Sequence, residues 1–153
     1  MGIRDILGHL LEKVSSRFHG LGHRSKTDTP AAVHLLRGKV GEDLAYRYLR
    51  INGYRIVARN YRKTYGEIDL IGWDNNILAF VEVKLRSNSN YGLPQEAVKL
   101  TKRRQICRVA KEYRNRHRLH GINYRFDIVS IQGTPGQERV EILKDAFKDF
   151  PTV

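Results

Sequence analysis

The sequence predicts a mixed α/β domain with helices packed on a central mixed sheet, and three observations carry that expectation. Apolar residues recur at the helical period in some segments and in short strand-like runs in others. Three of the strand-like runs follow one another across polar turns, and a long helical pattern divides them from two more. The chain has 153 residues, 41% of them hydrophobic. A domain of that size buries about 70% of its unfolded surface, enough for a core without disulfide or metal.

Ile3, Ile6, Leu7, Leu10, Leu11, Val14 and Phe18 set an amphipathic helix over residues 2–19, and residues 20–30, rich in Gly, Ser, Thr and Pro, read as a linker. Residues 1–34 are thus an extension, 35–148 the domain and 149–153 a tail. The first helix is expected to pack on the body, on a second copy of the chain in a homodimer, or on a partner. Residues 38–51 follow as a helix, closed by the C-cap pair Asn52-Gly53. Residues 54–61, 67–73 and 77–85 read as strands, the last two joined at Asp74-Asn75-Asn76. A polar loop over 86–94 leads to a long helix over 95–118, and 125–132 and 139–143 are the closing strands. The order is αβββαββ.

The single cysteine, Cys107, excludes a disulfide within the chain, and no Cys/His spacing suggests zinc. Cys107 lies on a helix flank, where a small semi-buried residue is expected. No stretch is long and apolar enough for a membrane span, and Arg4, Asp5, His9, Glu12 and Lys13 interrupt any signal-peptide core. A cytoplasmic location is expected. Lys and Arg number 28 against 16 Asp and Glu, a net charge of +12, which favours a polyanionic partner.

The chemistry-bearing residues stand in strands that ought to be apolar. In Glu67-Ile68-Asp69-Leu70-Ile71, alternation puts Ile68 and Leu70 on one face, with Glu67, Asp69 and Ile71 on the other. In the next strand Phe80, Glu82 and Lys84 share a face opposite Val81, Val83 and Leu85. A hairpin would bring Asp69 and Glu82 side by side, with Lys84 two residues along. Two bland readings stay open: Lys84 pairs with Asp69 or Glu82, or this sheet surface faces water. The sharper reading is a metal site. Hard carboxylate oxygens hold Mg²⁺, which also binds a substrate phosphate, and a neighbouring lysine stabilises charge developing on it.

By helical angle Glu42 borders the core while Asp43 points away, so Glu42 could serve a metal or water, or be a surface acid in a first turn. On the long helix, Ile106, Val109, Ala110 and Tyr113 face the sheet. The same face turns polar at Gln95, Lys99 and Lys102, so this end of the helix is expected to overhang the site or to reach past the sheet edge to water. Residues 99–118 hold nine Lys or Arg and one acid, Glu112. Solvated helical faces normally mix signs; this one does not. Lys99, Lys102, Arg103, Arg104, Arg108 and Lys111 are therefore expected to contact nucleic-acid phosphates without reading sequence. Asp127 is a further acid in an apolar strand, either in the surroundings of the site or paired with Arg125. Tyr61 and Tyr65 flank Arg62 and Lys63, a candidate stacking or phosphate-contact loop.

Gly38-Lys39-Val40-Gly41-Glu42, Gly66-Glu67-Ile68-Asp69-Leu70-Ile71, Phe80-Val81-Glu82-Val83-Lys84 and Arg125-Phe126-Asp127-Ile128-Val129 together resemble the YraN-like family of bacterial proteins. That family is similar to the PD-(D/E)XK restriction-endonuclease-like superfamily and to archaeal Holliday-junction resolvases. The likeness covers residues 36–147. It implies a restriction-endonuclease-like αβββαβ core, with Asp69 and Glu82 as metal ligands, Lys84 as catalytic lysine and Glu42 as the acid from the first helix. It also implies Mg²⁺-dependent DNA cleavage and, by analogy with resolvases, a dimer. The resulting expectation is a Mg²⁺-dependent nuclease-like protein acting on DNA, in branched or recombining structures, with Mn²⁺ able to replace Mg²⁺. Glu67, Gln95 and Asp127 are expected to support the site from behind. The alternatives are a nucleic-acid-binding protein that cuts nothing, and a scaffold whose basic helix docks an acidic partner.

Overall fold

The computed structural model describes residues 30–86, 98–133 and 138–150, with side chains from Gly38 onward. The expected helix over 2–19, Gln95 and the loop after Arg86 lie outside these described residues. Helix α1 spans Pro30–Ile51 and begins eight residues before the expected start. Gly38 and Gly41 lower helical propensity locally, but Pro30 suits a first helical position and good helix formers follow it. The helix ends where the sequence signals it. Gly53 has φ +88°, the Tyr54 N–H donates to Leu49 O at 3.0 Å, and the Gly53 N–H donates to Arg50 O at 3.2 Å. This paired closure requires a left-handed residue at position 53.

Strands β1 (Arg55–Lys63), β2 (Gly66–Asp74) and β3 (Ile77–Arg86) form an antiparallel meander. Helix α2 (Leu100–Arg116) then crosses over to β4 (Tyr124–Gln132), which runs parallel to β3, and β5 (Arg139–Phe147) pairs antiparallel to β4. The five strands lie in sequence order in one mixed sheet. The expected α/β class and restriction-endonuclease-like αβββαβ core are present, with β5 added at the edge. β5 outruns the expected end at 143: Asp145, at φ +53°, breaks the alternation, and Ala146 and Phe147 return to the core.

Each sheet face carries one helix. Leu44, Ala45 and Leu49 of α1 pack with Leu70, Ala79, Val81, Val83, Val129 and Ile131. Ile106, Val109, Ala110 and Tyr113 of α2 pack with Ile68, Ile71, Leu78, Phe80, Phe126 and Ile128, as the helical periodicity predicts. β3 alternates cleanly, so Glu82 and Lys84 share the α2 face with Leu78 and Phe80.

β2 does not alternate in this way. Ile68 and Leu70 were expected on one face, yet they enter opposite halves of the core. The β2–β3 ladder runs from Asp74↔Ile77 to Leu70↔Val81. One residue further on, the Val83 N–H donates at 2.7 Å to the Asp69 carboxylate, where a ladder would offer a backbone carbonyl. A side chain that takes over a ladder bond breaks the period of two.

Gly41 brings α1 close to the end of β3. A Cβ there would lie 2.6 Å from Leu85 Cδ1, nearer than any methyl can sit. This approach sets Glu42, the next residue, toward the end of the hairpin that carries Asp69.

Candidate active site

The site begins with two buried acids. Asp69 is 9% exposed and Glu82 only 3%. Burial pushes the Asp69 carboxyl up to about 7, and the Glu82 charge beside it pushes in the same direction, against the Val83 N–H bond and the Lys102 charge. Glu42 adds a smaller upward push. The Asp69 and Glu82 charges therefore act on each other across the hairpin.

Glu82 is flanked by two lysines. Lys84 Nζ is 2.8 Å from Oε1, which realises the ion pair foreseen as the bland alternative. Lys102 Nζ, from α2, is 3.4 Å from Oε2 but is not aligned to hydrogen-bond it. Glu82 Oε2 is thus a buried oxygen with no hydrogen-bond partner. The Lys102 charge offsets part of the cost of burying that oxygen, and its hydrogen-bonding capacity is left unused.

Around this pair lies a more open rim. Glu67 pairs with Arg62 at 3.1 Å and approaches Lys102 at 4.0 Å. Arg62, Lys63, Gly66, Glu67, Lys102 and Gln105 line an open pocket of about 230 Å³. Lys63 also pairs with Glu112, which accepts a hydrogen bond from the Tyr65 hydroxyl.

Several expected residues fall elsewhere. Glu42 is half-buried and acts on Asp69 only through its charge. Among the described residues no group of three His, Cys, Asp or Glu side chains is gathered closely enough to hold a metal ion, so Glu42 does not complete a ligand set. Asp127 was expected to support the site, but it faces the α1 half of the core. It accepts hydrogen bonds there from the Tyr54 hydroxyl at 2.9 Å, from Arg125 at 2.8 Å and from the Asp145 N–H at 2.9 Å. Arg125 and Lys144 in turn hold Asp74. This ionic network ties the far end of the sheet together, and it is the Arg125 pairing anticipated as the alternative. Cys107 is buried, not semi-buried, and burial together with Asp149 pushes its thiol up to about 12, which excludes a ready nucleophile.

The basic helix divides into faces with different contacts. Lys102 turns inward to Glu82, the contact that the sequence only hinted at through the polar end of the inner face. Arg103 folds back to donate to Val98 O at 2.8 Å and lies over Phe147. Arg108 covers the Tyr65 ring at 4.0 Å. One face of Tyr65 is thus taken by a guanidinium, and Tyr61 is packed edge-on against Tyr113. Lys99, Arg104, Arg108 and Lys111 are exposed along the outer side.

A buried carboxylate oxygen without a donor, a second buried acid beside it and two ammonium groups within reach can bind a hard cation and a phosphate together. Mg²⁺ commonly takes one or two protein carboxylates and fills its other positions with water and substrate oxygens, and Asp69 and Glu82 are the residues that would hold one here, in exchange for the lysine contacts of Glu82.

A family model described as "Uncharacterised protein family UPF0102" matches residues 41–131. A UPF0102 protein of Syntrophus aciditrophicus (strain SB) is 44% identical over 115 residues, covering 75% of this chain and 91% of that relative. One from Solibacter usitatus (strain Ellin6076) is 47% identical over 114 residues, covering 72% and 84% respectively. Another, from Chloroherpeton thalassium (strain ATCC 35110 / GB-78), is 43% identical over 122 residues, covering 74% and 95%. Glu42, Asp69, Glu82, Lys84 and Lys102 all fall inside the span that the family model matches. The chain belongs to the UPF0102 family, the YraN-like group that its motifs resembled.

Proposed function

We propose that this protein is a Mg²⁺-dependent nuclease-like hydrolase of DNA phosphodiesters, with branched or recombining DNA as its substrate class. The observation that carries the reading is the pair of buried acids, Asp69 and Glu82, whose Glu82 Oε2 accepts no hydrogen bond. Asp69 and Glu82 would hold the Mg²⁺, which when bound polarises a phosphoryl oxygen and lowers the pKa of a water. Glu42 adds negative charge at the edge of this space. Lys84, already drawn to Glu82, presents its ammonium to charge that develops on the phosphate. Lys102 steadies Glu82 from the opposite side. The exposed Lys99, Arg104, Arg108 and Lys111 lie along the DNA backbone and position it without reading bases.

The test is cleavage of linear, flapped and four-way DNA by the purified chain with Mg²⁺ or Mn²⁺. Asp69→Asn and Lys84→Ala should each lower the rate by at least about a hundredfold, the scale expected when a metal or a transition-state donor is lost. Cleavage that persists unchanged in both variants removes the assignment. A second reading has its own support: Glu82 is already paired with two lysines, and that arrangement stands without a cation. On that reading the chain binds nucleic acid and cuts nothing. Salt-sensitive binding with no cleavage of any substrate would favour it.

A further inference from the structure

We infer that the open pocket beside Lys102 is a second phosphate subsite, which seats the phosphate next to the one lying over Asp69 and Glu82. The inference rests on the nucleic-acid part of the proposed function and not on cleavage. The pocket, about 230 Å³, lies between the β1–β2 hairpin and α2. Arg62, Lys63 and Lys102 line it with one carboxylate, Glu67, in the wall itself; Lys63 also pairs with Glu112 and Lys102 with Glu82 outside the lining. Cations in a concave wall focus positive potential more strongly than the same charges on a convex surface.

Lys102 joins the two places. It lines the pocket, and its ammonium is 3.4 Å from Glu82 Oε2. One lysine side chain therefore separates the subsite from the acids, a spacing suited to consecutive phosphates of one strand. Gly66 leaves the floor bare: a Cβ there would sit 3.1 Å from Gln105 Cβ, so any side chain would crowd the cleft between hairpin and helix. Gln105 supplies a neutral amide to the same wall.

Glu67 occupies the place that the incoming anion would take. Its carboxylate pairs with Arg62 at 3.1 Å and approaches Lys102 at 4.0 Å, yet the side chain remains 44% exposed. It stands in for phosphate oxygens in the ligand-free protein and moves out to water when they arrive. Arg62, 72% exposed, supports no packing that its removal would disturb.

The test measures binding of a short single-stranded DNA, 5′-phosphorylated or 5′-hydroxyl, to the full chain without divalent cation. Arg62→Ala should weaken binding by roughly tenfold, the worth of one charge-assisted phosphate contact. Arg139→Ala, which removes the same charge from an exposed site on β5, should weaken it far less. Glu67→Gln should tighten binding. A loss in Arg62→Ala confined to the phosphorylated strand identifies a terminal phosphate, and an equal loss for both strands identifies an internal one. Equal effects of Arg62→Ala and Arg139→Ala, weaker binding by Glu67→Gln, or no binding of either strand at low salt would each overturn the subsite. Retained Arg62 dependence in a protein that cuts nothing would sink the hydrolase reading alone. Cleavage without Arg62 dependence would sink the subsite alone.

Discussion

Asp69 carries its acid where water scarcely reaches, and this gives it a measurable pH signature. In the unfolded chain its carboxyl titrates near the ordinary value of about 4, whereas burial and the Glu82 charge push it up to about 7 in the folded protein. The folded state therefore holds a proton that the unfolded state has already lost between those values. The stability it contributes is fully present below about pH 4 and is lost as pH rises through 7. Denaturant unfolding in the presence of a chelator should show that loss. Asp69→Asn, which keeps an acceptor for the Val83 N–H, should flatten the curve and be the more stable protein at pH 8. A divalent cation must displace the same proton, so Mn²⁺ affinity should rise with pH up to about 7 and then level off. Asp69, Glu82 and Lys84 were legible in the sequence because charge in an apolar strand demands a reason. Asp127 met the same criterion and lies elsewhere. The β3–β4 register sets it beside Val81 on the α1 side, and register between parallel strands joined by a helix is not written in local periodicity.

At the scale of elements, the close approach of α1 to β3 depends on Gly41 and Leu85. Alanine at position 41 should gain helix propensity of about 1 kcal/mol but would collide with the Leu85 side chain. Leu85 is half-exposed and can turn toward water, so Gly41→Ala should gain less than that in the natural background and about the full 1 kcal/mol once Leu85→Ala has cleared the space. Denaturant titration of the four proteins in this cycle checks the non-additivity. Most strand positions, the hairpin turn at Asn75-Asn76 (read one residue too long, from Asp74) and the end of α1 were readable because each has a local cause. The departure of β2 from alternation at Asp69 was not. It arises where a side chain captures a ladder donor on another strand, a contact between residues 14 apart in sequence. The early start of α1 was missed because glycines at 38 and 41 imitate a boundary.

At the scale of the whole molecule, the two faces of the sheet carry different chemistry. The α1 face with its Tyr54–Asp127–Arg125 network is a packed ionic scaffold, while the α2 face holds Glu82, Lys84 and Lys102 and the exposed cations of the helix itself. A net charge of +12 on 153 residues favours a polyanionic partner, and the helical phase was enough to foresee which side of α2 faces outward. If that side meets DNA, log affinity should fall linearly with log salt, and Arg104→Ala should reduce the slope by about one. A slope unchanged by that substitution would place the DNA elsewhere. The central claim is that Asp69 and Glu82 share one divalent cation. The most direct test is the anomalous scattering of a crystal soaked in Mn²⁺. The account predicts a single strong peak within ligand distance of a carboxylate oxygen from each residue, absent in Asp69→Asn. Lys102 seated on Glu82 Oε2 with no peak between the acids at saturating Mn²⁺ would contradict it.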